Sequence, residues 1–230
     1  MSGFTTVRRI RDTARASASD NFGRYKREKK QKVRSFAHEE NKVVQQLKDL
    51  FRNYNWSGAI VDDSNYPEIL ALIKDIKYSA KDVELFSIAL AEFQDHPLFS
   101  GKAGFFLSAL INGGAETNYT LHLEHLEEEL CFLGYQNTKN IRIIGNAGIW
   151  VGVGMLNGTI TIEGNARFQL GMSMRGGTII LNGDAHLEVG AFMRGGEIHL
   201  NGKYLSLCGD IRGGKIYHKG KLIYPSQTVE

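Results

Sequence analysis

Between Thr159 and Leu200 the chain alternates apolar and other residues in short bursts. Ile160 and Ile162, Ile179 and Leu181, and Ile198 and Leu200 form one set of alternating pairs. Ala166, Phe168 and Leu170, then Ala185, Leu187 and Val189, repeat the pattern a few residues later. Alternation with period two over three to six residues predicts short, half-buried strands rather than helices.

The bursts recur at a fixed interval. Residues 140 to 158 read "NIRIIGNAGIWVGVGMLNG"; 159 to 177 read "TITIEGNARFQLGMSMRGG"; 178 to 196 read "TIILNGDAHLEVGAFMRGG"; 197 to 214 read "EIHLNGKYLSLCGDIRGG". Four copies align with one single-residue deletion, and a partial copy, "KIYHKGKLIYP", follows. Self-similarity near 19 residues is the signature of a solenoid. Counting within each copy, position 16 is Met155, Met174 and Met193, with Ile211 in the shortened one. Glycines stand at position 6 (Gly164, Gly183), position 13 (Gly171, Gly190) and position 19 (Gly177, Gly196), with Gly176 and Gly195 beside the last. These are the expected corners, where glycine takes positive φ at little cost. The expectation is three short strands and three corners per turn, each strand pairing in parallel with its counterpart about 4.8 Å away. Crossovers between parallel strands are right-handed, so the fold predicted is a right-handed parallel β-helix whose bore is filled by Ile, Leu, Phe and Met.

Upstream the period changes. Val43, Val44, Leu47, Leu50 and Phe51 form one helical stripe. "YPEILALIKDIKY" (66 to 78) places Pro67 in a first helical turn, and "SAKDVELFSIALAEF" (79 to 93) offers Ser79 as N-cap with Asp82 near the positive helix end. "HPLFSG" (96 to 101) interrupts the pattern before a short apolar helix or buried segment, 102 to 113. The chain thus divides into a basic arm (1–35), a small helical domain (36–114) and the β-helix domain (115–230). Residues 115 to 140 are expected to hold a first irregular turn, with Leu121 to Leu133 capping the open end of the coil.

The stretch "GNAGIWVGVGMLNGTITIEGNARFQLGMSMRGGTIILNGDAHLEVGAFMRGGEIHLNG" resembles the glycine-rich β-helix domain at the C-terminus of the glutamate synthase large subunit. It is also similar to the glycine-rich β-helical subunit of formylmethanofuran dehydrogenase. The likeness covers roughly residues 140 to 220. It implies a β-helix that supports and spaces catalytic domains or subunits without being catalytic itself.

Against that background the repeated "RGG" acquires a geometry. Arg175, Arg194 and Arg212 share one position in the repeat, where Leu156 stands one copy earlier, so they are expected to stack on successive turns. Two like charges about 5 Å apart in water repel by roughly 0.8 kcal/mol, which an exposed stack tolerates. Two roles fit: each guanidinium caps carbonyls or pairs locally at its corner, or the three form a stripe that meets carboxylates of a partner or an anionic ligand.

Charge adds one element. Met1 to Arg34 holds eleven Lys or Arg against three acids, a net +8 on a chain whose total is +3, leaving −5 elsewhere. Such an arm is either a solvated tail or a contact for nucleic acid, anionic lipid or an acidic protein. Asp12 and Asp20 argue against an organelle transit peptide, and no apolar h-region marks a secretory signal. No apolar run approaches the roughly 20 residues of a membrane span. The two cysteines, Cys131 and Cys208, form neither a disulfide framework nor a zinc motif, so the cytoplasm is the expected compartment. His122 and His125 have H-x-x-H spacing but no second ligand cluster. His186, His199 and His218 fall at different repeat positions. "GVGMLNG" (152 to 158) has the wrong spacing for a dinucleotide loop.

The sequence therefore predicts no catalytic residues, no cofactor and no metal. It predicts a scaffold that binds protein partners, as an enzyme-complex subunit or by self-association. The alternatives are an enzyme with a site between helices and β-helix, or a nucleic-acid-associated protein acting through its arm.

Overall fold

The computed structural model describes residues 41–56 and 63–225. The basic arm 1–35 and the first residues of the expected helical region lie outside them. Among the described residues four α-helices and a short 3₁₀ helix precede a parallel β-solenoid of about five turns. Among the described residues no helix is long and apolar enough to cross a membrane.

Helix α1 (Lys42–Asn53) buries Val44, Leu47, Lys48 and Phe51, one stripe at i, i+3, i+4 and i+7. Helix α2 (Asn65–Ile73) carries Pro67 in its first turn. Helix α3 (Ala80–Ala89) opens with a capping box: the Ser79 backbone N–H donates to Asp82 Oδ2 (2.9 Å), and the Asp82 N–H donates back to Ser79 Oγ (3.2 Å). The 3₁₀ helix Leu90–Phe93 follows.

Helix α4 (Phe99–Gly113) begins three residues before the apolar segment expected from sequence, and every residue from Phe99 to Ile111 is buried. A helix apolar on all sides lacks the face that betrays a boundary. This helix closes the N-terminal end of the coil. Phe105 stacks on Phe132 with centroids 4.5 Å apart. Ser108 Oγ bonds the carbonyls of Gly104 (2.7 Å) and Phe132 (3.1 Å). The expected cap, Leu121 to Leu133, is instead part of the first turn: β1 (Asn118–His122) pairs in parallel with β2, and Leu121, Leu130 and Leu133 lie in the core. Helix α3 lies along β1, where the His122 N–H donates to Ser87 Oγ (3.0 Å).

Strands β2 (Asn140–Ile144), β3 (Thr159–Ile162), β4 (Thr178–Leu181), β5 (Arg194–Leu200) and β6 (Gly213–His218) continue the parallel sheet in chain order. The register reproduces the repeat: Asn140 faces Thr159, Thr159 faces Thr178, and Thr178 faces Glu197. Inside, Ile160, Ile162, Leu170 and Met174, and their counterparts Ile179, Leu181, Val189 and Met193, are essentially inaccessible to solvent. The apolar core runs without a break from helices α1–α4 into the coil.

Each turn contains one regular strand rather than three. A second side is held by isolated parallel bridges through Ala147, Ala166, Ala185 and Tyr204. The third is broken by left-handed residues: Trp150, Gly152 and Gly154, then Gln169, Gly171 and Ser173, then Glu188, Gly190 and Phe192. Alternate positive φ values bend the backbone too sharply for a ladder. The partial fifth copy forms a hairpin, in which β7 (Lys221–Tyr224) returns antiparallel to β6 through Lys219 and Gly220, both at positive φ.

Candidate functional site

The three repeated arginines do share a column. The backbone N–H groups of Arg175, Arg194 and Arg212 donate to Met155, Met174 and Met193 one turn earlier, each at 2.8 Å. The buried methionine beneath and the exposed arginine above are thus joined by the same bond on three turns. The glycines that follow permit this packing. A Cβ on Gly176 or Gly195 would lie 2.5 Å from the carbonyl oxygen of Leu156 or Arg175. Gly177 and Gly196 add positive φ, +80° and +87°. Gly171 and Gly190 are left-handed as well. Gly164 and Gly183 are not: what they require is close approach, since a Cβ would fall well inside van der Waals contact with the carbonyl oxygens of Gly145 and Gly164.

The guanidinium groups differ. Arg212 is held by Asp210, with Nη2–Oδ2 at 2.9 Å and Nε–Oδ1 at 3.1 Å, and its Cζ lies 5.4 Å from the Phe192 ring centroid. The bond to Arg212 keeps the Asp210 carboxyl below the usual carboxylate range, and Asp210 raises Arg212 in turn. Two residues before the arginine, where Asp210 stands, the earlier turns carry Ser173 and Phe192. Among the described residues neither the Arg175 nor the Arg194 guanidinium has a hydrogen-bonded acid or carbonyl partner, and both residues are exposed. Local capping therefore accounts for Arg212 alone.

Other outward ladders are internally satisfied. Asn146, Asn165 and Asp184 each accept, through Oδ1, the N–H of the corresponding residue one turn on, at 2.7–2.9 Å. Gln169 Nε2 donates to Glu188 Oε2 (2.7 Å). Glu163 takes Asn182 Nδ2 (2.7 Å) and Arg142 Nε (2.8 Å), which together hold its carboxyl below the ordinary range. No sequence cue of residue type marks the left-handed sites at Trp150, Gln169 and Glu188; only their 19-residue recurrence could have.

His122, His125 and His199 make contacts within the fold. His122 meets Glu84 of α3 (3.2 Å) and Glu124 (3.5 Å), and His125 Nε2 lies 2.9 Å from the Ile88 carbonyl. His199 stacks flat on Tyr217, centroids 4.7 Å apart. Among the described residues no group of three or more His, Cys, Asp or Glu could hold a metal.

Open grooves flank the coil, two of them beside Arg167. One, of about 310 Å³, is lined by Ser100, Glu129, Cys131 and Arg167. Its hydroxyl is committed, since Ser100 Oγ donates to the Glu129 carbonyl (2.7 Å), and Arg167 is paired with the Glu129 carboxylate. The second, about 390 Å³, runs past Arg167, Asp184, His186, Lys203 and Leu205.

No protein-family model matches the chain, nor does any curated protein or any solved structure.

Proposed function

We propose that the protein is a non-catalytic scaffold whose β-solenoid binds a partner protein through the Arg175–Arg194 column. One observation carries this reading: two exposed guanidinium groups stand on adjacent turns with no acid of their own among the described residues, on a backbone fixed by turn-to-turn hydrogen bonds. A rigid pair of forked donors suits carboxylates of a protein surface. The resemblance to the β-helices of the glutamate synthase large subunit and of formylmethanofuran dehydrogenase supports placing it beside the catalytic subunits of an oxidoreductase or amide-transfer complex in the cytoplasm.

The test is Arg175→Gln with Arg194→Gln and Arg212→Gln, in pull-downs from the native host with folding followed in parallel. On this reading the fold persists and capture of the partner falls, with the larger loss at low salt where charge is least screened. Capture equal to that of the unaltered chain overturns the reading.

A further inference from the structure

The two ends of the coil are unlike. Helices α3 and α4 cover the first turn. At the other end the C-terminal hairpin closes part of the last turn: Tyr224 Oη donates to the Ile211 carbonyl (2.7 Å), and His218 Nε2 lies 2.9 Å from the Gly202 carbonyl. The side formed by residues 203 to 208 is left over.

Its backbone is set up for a further turn, and none follows among the described residues. Ala147, Ala166 and Ala185 each donate their N–H forward to the next turn, to Asn165, Asp184 and Lys203, at 2.8–2.9 Å. Tyr204 is the next member of that column, and among the described residues its N–H has no acceptor. Val189 likewise donates forward to Ser206 (3.1 Å), whereas Leu207, bridged to Val189, donates to no described residue. Between these two donors Leu205 is 63% exposed, the most exposed large apolar side chain among the described residues. Unpaired edge donors beside an exposed apolar side chain form a template for an added strand.

Charge selects the occupant. The last turn and the hairpin carry Lys203, Arg212, Lys215, Lys219 and Lys221 against Glu197 and Asp210, and with Asp184, which lines the groove beside Lys203 and Leu205, the excess is two positive charges. A second copy of the chain would bring the same excess against itself. An acidic strand would be complementary. We propose that the edge from Lys203 to Cys208 accepts an extended acidic segment of a partner protein as one further turn. Its apolar residues cover Leu205 and its carboxylates face the lysines. The proposal rests on the scaffold reading but uses a different surface from Arg175 and Arg194.

The probe is a fluorescent octapeptide of alternating Glu and Val, with a Lys/Val octapeptide as control, titrated against the full chain. The Glu peptide is expected to bind and the Lys peptide not. Amide exchange at Tyr204 and Leu207 should slow about tenfold or more on binding, as edge pairing requires. Lys203→Glu with Leu205→Glu should weaken binding about tenfold or more; Leu205→Ser replaces it if the double variant fails to fold. The Arg175→Gln/Arg194→Gln variant should show the same slowing of exchange at Tyr204 and Leu207 with the Glu peptide, so the column and the edge fail separately. Unchanged exchange at both amides overturns the proposal, as does undiminished binding by the edge variants. Dimerisation abolished by Leu205→Ser would show a second copy there instead. Binding only after removal of residues 226–230 would show that the chain's own terminus is the occupant. Either result also overturns it.

Discussion

A Cβ placed on Gly104 of α4 would collide with the carbonyl oxygen of Cys131 in the first turn. The helix backbone and the coil backbone are therefore in direct contact, and the seal at that end depends on a missing side chain. Glycine to alanine inside a helix normally stabilises by up to about 1 kcal/mol. Here the sign should reverse: Gly104→Ala must push α4 off the coil, with a loss of about 1–3 kcal/mol by the scale of overpacked cores. Urea unfolding measures it, and a stability equal to or above that of the unaltered chain would refute the contact.

Gly177 and Gly209 form a matched pair. Gly177 is left-handed, and its Cβ would meet Met155 Cε at 2.6 Å and the Gly158 carbonyl oxygen at 2.8 Å; Gly209 has nothing within 4 Å. Gly177→Val should cost at least about 1–3 kcal/mol in backbone strain alone. Gly209→Ala should be neutral or stabilising by up to about 1 kcal/mol, through the unfolded chain. Thermal melts that rank the two in the opposite order would show that the turn-to-turn packing is not as described.

Glu84 ties α3 to the first turn. Its carboxyl is held below the ordinary value of 4.5, first by the hydrogen bond from Lys81; burial opposes this, and the Lys81 charge and then His122 add to the lowering. A depressed folded pKa contributes stability that is present above the unfolded value and lost as pH falls through the folded one. Glu84→Gln should therefore destabilise by about 0.2–1 kcal/mol at pH 7. The difference should shrink as pH drops below about 4.5. A pH-independent difference in urea midpoints would refute the ion-pair origin.

Tyr54 gives the alkaline counterpart. Burial, and then the Glu68 carboxylate that accepts its hydrogen bond, push its phenol from 10.0 up to about 12. A raised folded pKa gives stability that is full below pH 10 and lost as pH climbs toward about 12. In a phenolate absorbance titration of the folded protein, Tyr54→Phe should remove a component near pH 12. Removal of one near pH 10 would contradict the half-buried, carboxylate-bound geometry.

The coil is legible in the sequence because each turn buries the same positions. Ile160, Ile179 and Ile198 face one another in the sheet at the interval counted from the sequence. The first turn is less so: Asn118 pairs with Asn140, 22 residues on, and the intervening acidic stretch lacks the glycine pattern. The role of α4 is hidden because contact with Cys131 and Phe132 is tertiary and leaves no periodic trace. Left-handed Trp150, Gln169 and Glu188 carry no mark of their own because their conformation is imposed by neighbouring turns, not by residue type. Of the arginine column, the alignment can be read in advance. That Arg212 is spoken for and Arg175 and Arg194 are not depends on a carboxylate two residues away, which becomes decisive only once the side chains are placed.

A parallel coil with both ends bare could grow without limit, each copy presenting to the next the edge that it had itself used. Here α4 occupies the first turn's end. Axial addition can take place at one end only, and a second copy added there could not in turn offer its plugged end to continue the stack. On the proposal above, edge pairing would therefore be capped at one guest per chain. The same helix that completes the core turns a fold suited to filaments into one suited to closed complexes.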